Sequence, residues 1–175
     1  MGDVALRPVR EDDLAALEWL INEPETTAPH NWWGWRKPDR MTRRWEESGL
    51  LGEEQGVLLV DVGAELIGFV SWHRVETGPS SHCFEIGVNL QPDARGHGHG
   101  TEAQRLLVRY LFAHTQVNRL EAGTELDNVA EQRALEKAGF TGEGVLRGYT
   151  FRNGRWRDCA RYSILRDEVD LTDLA

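Results

Sequence analysis

The sequence predicts a mixed α/β domain of the α+β kind, in which helices pack on one central sheet. Strand-like and helix-like segments alternate along the 175 residues with no low-complexity tract and no internal repeat. The segment FEIGVNLQPDARGHGHGT, residues 84–101, runs an alternating strand into glycines two apart at 96, 98 and 100, and then into a helix. A hydrophobic content of 40% over this length suits one full core, so residues 1–175 are expected to form a single domain.

Each element has a local cause. Residues 6–9 read as a first strand, and Glu11, Asp12 and Asp13 open a helix to about Asn22, acids being favourable at a helix's positive end. Pro24 and Pro29 stop it. A helix over 40–48, a strand over 57–62, a turn at Gly63-Ala64 and a partner strand over 65–74 follow. Residues 76–81, rich in Gly, Pro and Ser, predict a loop before the strand 84–90. After the glycines, Ala103, Leu106, Leu107, Tyr110 and Leu111 recur at helical spacing in a helix from about Thr101 to Thr115. A strand over 119–125, a helix over 128–138 and a hairpin turning at Asn153-Gly154 complete the chain.

Charge and composition bound the partners. Twenty Lys and Arg against 29 Asp and Glu give a net charge of −9, so the basic face that neutralises phosphates is missing and nucleic acid is not an expected partner. An acidic balance suits a solvated surface or a cleft that favours a cationic amine. No run reaches the roughly 20 apolar residues of a membrane span, and the start MGDVALRPVREDD is charged too early for a signal peptide. Cys83 and Cys159 are too few for a disulfide framework, which points to the cytoplasm. No metal is expected, because His73, His82 and Cys83 are scattered and His97 and His99 lie two apart in a tight loop without further ligands.

Successive backbone N–H groups across Gly96, Gly98 and Gly100 can face one concavity with no Cβ in the way, next to a helix's positive end. Such a concavity binds phosphate. Gly98 to Ala103 fits the dinucleotide fingerprint GxGxxA, with Glu121 as a ribose-binding acid, but Gln91 to Arg95 separate the glycines from the strand and no parallel βα series follows. The alternative is Arg95-Gly96-His97-Gly98-His99-Gly100, an R/Q-x-x-G-x-G/A pattern after a strand ending V-N-L-Q-P. It resembles the acetyl-CoA loop of the GNAT superfamily of N-acyltransferases. RLE at 119–121, DNVA at 127–130, LEKAGF at 135–140 and the hairpin GYTFRNGRWRDCARYSIL are similar to the branch containing the ribosomal-protein N-terminal (alanine/serine) acetyltransferases.

That resemblance implies a GNAT-like fold, with a mixed, mostly antiparallel, splayed sheet flanked by helices. It implies N-acyl transfer from acetyl-CoA to a primary amine of a peptide N-terminus or small molecule, by direct attack in a ternary complex. The pantetheine arm would lie along Val88, Asn89 and Leu90 like an added strand; amides from Gly96 to Thr101, through His97, Gly98, His99 and Gly100, would hold the diphosphate. Asn128 would reach the pantetheine. Arg95 either touches a phosphate or fastens the turn to carbonyls.

Alternation nominates the base. With Phe84, Ile86, Val88 and Leu90 facing the core, Glu85 faces the splay, and Glu121 and Glu125 on the next strand are second choices. The family's tyrosine is replaced by Leu135, and the branch's serine three residues after the asparagine by Glu131. Glu131, water, Tyr149 or Tyr162 is left to protonate the thiolate, whose affinity for a proton is low enough to need no dedicated acid. These departures keep open a nonenzymatic acyl-CoA-binding module or a different acyl donor; aminoacyl-tRNA or a carrier protein would need a basic docking face.

Seven tryptophans are many for this length, and Trp32, Trp33 and Trp35 fall together where the family forms a wall of the acceptor cleft. They serve either to stack an acceptor or to pack the core. An apolar strand edge over 145–165 admits a homodimer as readily as a monomer.

Overall fold

The computed structural model describes residues 3–172. Seven strands form one sheet: β1 (Val4–Pro8), β2 (Gln55–Val62), β3 (Glu65–Gly78), β4 (Ser81–Leu90), β5 (Arg119–Glu125), β6 (Thr141–Arg152) and β7 (Arg155–Leu165). Their order is β1-β2-β3-β4-β5-β7-β6. Every neighbouring pair is antiparallel except β4 and β5, which are parallel and meet only at Phe84 with Leu120 and Glu85 with Glu121. Past Glu85 the two strands part, and the sheet splays into two halves.

Helices cover both faces of the sheet around β2 and β3, while β6 at the far edge is largely exposed. On one face, α4 (His99–His114) buries Ala103, Leu107, Val108, Leu111 and Phe112 against Phe84, Ile86, Leu90 and Leu120, joined by Leu135 and Ala138 of α5 (Val129–Ala138). On the other, α1 (Leu14–Asn22) and α3 (Arg40–Ser48) supply Leu14, Leu17 and Met41 to a second cluster with Val57 and Leu59. Hence the unbroken apolar run in β2: Leu58 and Val60 serve the first cluster, Val57 and Leu59 the second.

Three local departures have clear causes. The expected loop 76–81 shrinks to a tight turn, because Val75 and Glu76 find cross-strand partners in Cys83 and His82 and the ladder outweighs the Gly-Pro-Ser composition. Pro24 both stops α1 and opens a short helix, α2 (Pro24–Thr27), since a proline's fixed φ suits the first helical position. The helix after the glycines begins at His99, with Gly98 as its cap. No helix of the described residues is long and apolar enough to cross a membrane.

Candidate active site

The glycine loop sits at the mouth of the splay. Gly96 and Gly98 hold φ of 78° and 85°, the left-handed region that favours glycine, and neither would meet another atom within 4 Å through an added Cβ. The open space lies on the side of a cavity of about 460 Å³ that Gly96, Gly98, Gly100, Thr101, Val88 and Asn128 help to line. His97 and His99 do not line it; their rings stack at 5.7 Å, and His99 Nδ1 lies 3.2 Å from the Ala94 carbonyl. Arg95 borders the cavity, but its guanidinium donates to the Leu90, Ala28 and Thr26 carbonyls at 2.9, 2.8 and 2.5 Å. It fastens the loop to β4, to α2 and to the residue after it. Arg133 and Lys137 of α5 also line this cavity and add positive charge that the sequence reading overlooked.

The strand edge beside the loop is anchored by Asn89. This buried side chain donates to the Leu20 carbonyl at the end of α1 (3.0 Å) and accepts from Asn31 Nδ2 (3.5 Å). Asn128 caps α5: its Oδ1 accepts from the Glu131 N–H (3.3 Å), and its Nδ2 donates to Thr124 Oγ1 (3.0 Å). The cap turns the first helical turn, with Glu131, into the splay.

Glu131 shares a narrow cleft with Ile86, Gln104, Ala122 and Leu135. Burial pushes its carboxyl up to about 7, against the opposing effect of a bond from Gln104 Nε2 (2.5 Å). A carboxyl poised there can hold or release a proton near neutrality. Leu135, in place of the family's tyrosine, is fully buried and supplies only packing.

Glu85 lies on the opposite side of the splay within a chain of ion pairs. Arg161 Nη2 donates to Glu85 (2.9 Å) and also to Glu121; Arg119 reaches Glu121 (2.7 Å) and Glu143 (2.8 Å). Burial raises the Glu121 carboxyl, but bonds from Arg119 and Arg161 together hold it below the usual carboxylate range. Glu143 is held at about 2, chiefly by Arg119 and then Ser163. Glu121 is thus a structural anion rather than a base. Glu125 is likewise held low by Arg152, which engages both of its oxygens and reaches the Pro29 carbonyl.

His30 escaped the sequence reading. Its Nδ1 lies 3.8 Å from Glu125 and 3.6 Å from Asp127, close enough for three ligand atoms to surround an ion. Arg152 already neutralises Glu125, and Arg157 stands 3.6 Å from Asp127, so the group is charge-balanced without a cation. Of the three clustered tryptophans, Trp33 lines two cavities beside the splay. Trp32 and Trp35 stack edge to face at 5.0 Å, and Trp35 is largely exposed.

A splayed sheet with a glycine loop leading into a helix at its mouth is the arrangement that sequence comparison assigns to a known family. The profile described as "Acetyltransferase (GNAT) domain" matches residues 3–141, and the chain belongs to that family. It is 40% identical over 103 residues to the probable N-acetyltransferase YjcK of Bacillus subtilis (strain 168), a match covering 59% of this chain and 56% of that protein. The chain therefore aligns with just over half the length of that relative. RimJ of Mycobacterium smegmatis, solved with CoA-disulfide, superposes with a TM-score of 0.77 at 27% identity, covering 96% of this chain and 84% of that one. The spermidine N-acetyltransferase of Vibrio cholerae, solved with CoA and spermine, shares the fold at a TM-score of 0.80 and 21% identity, over 94% and 96%.

Proposed function

We propose that this chain, acting as a single domain, transfers an acetyl group from acetyl-CoA to a primary amine in a ternary complex. One observation carries the reading: the β4–β5 ladder stops after Glu85, leaving the β4 edge at Val88 to Leu90 without a β5 partner, directly beside the loop held open by Gly96 and Gly98. Amides of that loop and the start of α4 suit a diphosphate, and the free strand edge suits the amide groups of a pantetheine arm. RimJ, among the relatives of known structure, was solved with a CoA derivative, which supports the same donor here.

The chemistry follows from the side chains around the cleft. Holding amine and thioester in line supplies most of the rate. Glu131, its carboxyl near 7, gives its proton to the leaving thiolate. Glu85 takes the proton of the attacking ammonium through water, with Arg161 holding one of its oxygens in place. In this reading acetyl-CoA is a cosubstrate and no metal takes part.

Acetyl-CoA at 100 times its Kd should stabilise the protein by about 2.7 kcal/mol, and a nicotinamide dinucleotide should not. Thiol release in a screen of amines then tests catalysis. Donor binding with no release from any amine would leave a binding module; no donor binding would sink the assignment altogether.

A further inference from the structure

A cavity of about 480 Å³ lies between α3, β3 and β4, and its lining includes Arg36, Arg40 and Arg44 but no aspartate or glutamate. In a chain where acids outnumber bases 29 to 20, that is a local inversion of charge. Among the described residues, no carboxylate forms an ion pair with any of the three; the one bond from this group is a weak contact of Arg44 with Met41 Sδ at 3.8 Å. Burial lowers the proton affinity of Arg36 and Arg44, and Arg40 lowers both further, although Glu47 nearby raises that of Arg44; Arg40 therefore repels each of the other two. Arg40 moreover begins α3 directly after its cap residue Asp39, which makes no side-chain capping bond, and positive charge at that end opposes the helix dipole. Three arginines around a cavity whose lining holds no carboxylate, with aromatic walls from Trp33 and Trp72, form a site suited to an anion.

The cavity also meets the donor site. Thr27, Asn31, Val88 and Asn89 line both it and the cavity under the glycine loop, so a molecule in one can reach the other across β4. We propose that the arginine cavity receives the acceptor, and that this acceptor is a primary amine carrying an anionic group, carboxylate or phosphate, which sits on Arg36, Arg40 and Arg44 while the amine reaches the β4 edge at Val88 and Asn89. The proposal rests on the acetyltransferase reading of the cleft and narrows its substrate class: polyamines are disfavoured, and an acceptor without negative charge loses the main attraction of the cavity.

The test uses matched acceptors in a thiol-release assay with acetyl-CoA. They are the tetrapeptides Ala-Glu-Glu-Ala, Ala-Gln-Gln-Ala and Ala-Lys-Lys-Ala, a short amino acid and an aminoalkyl phosphate, and spermidine. The expected result is kcat/KM about tenfold or more higher for anionic than for neutral acceptors, with cationic ones lowest. Whether the peptide or the small molecules lead identifies the source of the anion. The Arg40→Glu/Arg44→Glu variant should lose or reverse the preference with CoA affinity unchanged, and Arg36→Gln should weaken it without charge reversal. Spermidine or the lysine peptide used as well as the glutamate peptide, or a preference indifferent to the substitutions, would overturn the proposal. If CoA binds but no amine releases thiol, the transferase reading fails by itself, and calorimetry of the three tetrapeptides with CoA-loaded protein decides the cavity's preference independently.

Discussion

Replacing Glu131 by glutamine keeps the shape of the cleft and removes the carboxyl that burial pushes up to about 7. Relative to an ordinary glutamate at 4.5, that displacement corresponds to about 3 kcal/mol of folding free energy withheld when the group is ionised. The sign follows from a folded-state pKa above the unfolded one: the group's contribution is at full value below 4.5 and is lost as pH rises through about 7. The wild-type protein should therefore lose stability between those limits while Glu131→Gln does not. At pH 8.5 the variant should melt roughly 6–12 °C higher, since 1 kcal/mol moves Tm by about 2–4 °C in a chain of this size. Near pH 4.5 the two should coincide. Turnover should respond oppositely: wild-type kcat declines above about pH 7 as the acid is lost, and the variant is slower by about tenfold below pH 7, with a flatter profile. Thermal melts and steady-state assays at half-unit steps from pH 5 to 9 measure both. Parallel melting profiles would refute the burial argument; identical pH–rate profiles would remove Glu131 from proton transfer.

Gly100 lies inside α4, and an added Cβ meets only Leu90 Cδ1 at an ordinary 3.6 Å, so Gly100→Val should leave the fold intact and abolish the thermal shift given by CoA. Glu85→Gln should lower kcat with near-normal CoA affinity, and unchanged turnover would exclude it as the base. Arg152→Ala strands the buried Glu125 carboxylate without its partner and should cost about 3–5 kcal/mol, read as a shift in urea midpoint.

What was legible in the sequence was local. Glycine spacing marked the loop because two of its residues adopt a backbone other side chains avoid, and alternation placed Glu85 and Asn89 on the face away from α4 because strand geometry has a fixed period. What was illegible depended on distant partners. The role of Arg95 follows from carbonyls at 26 and 28 meeting one at the end of β4, and the shifted proton affinity of Glu131 from its burial in the cleft beside Ile86 and Leu135. Arg36, Arg40 and Arg44 recur every four residues, a signal that was present. Its meaning needed β3 and β4 beneath it.

The two pairs that join β4 to β5 carry a last consequence. Residues 4–90 and 119–165 build separate half-sheets, and so little main chain stitches them that their cohesion falls to side chains: the apolar face of α4 in one cluster with Phe84 from one half and Leu120 from the other, and the Arg161–Glu85 pair across the seam. The seam is accordingly the place where a bound molecule can change the stiffness of the whole protein: amide exchange across 86–89 and 122–124 should slow far more than elsewhere once the crevice is filled.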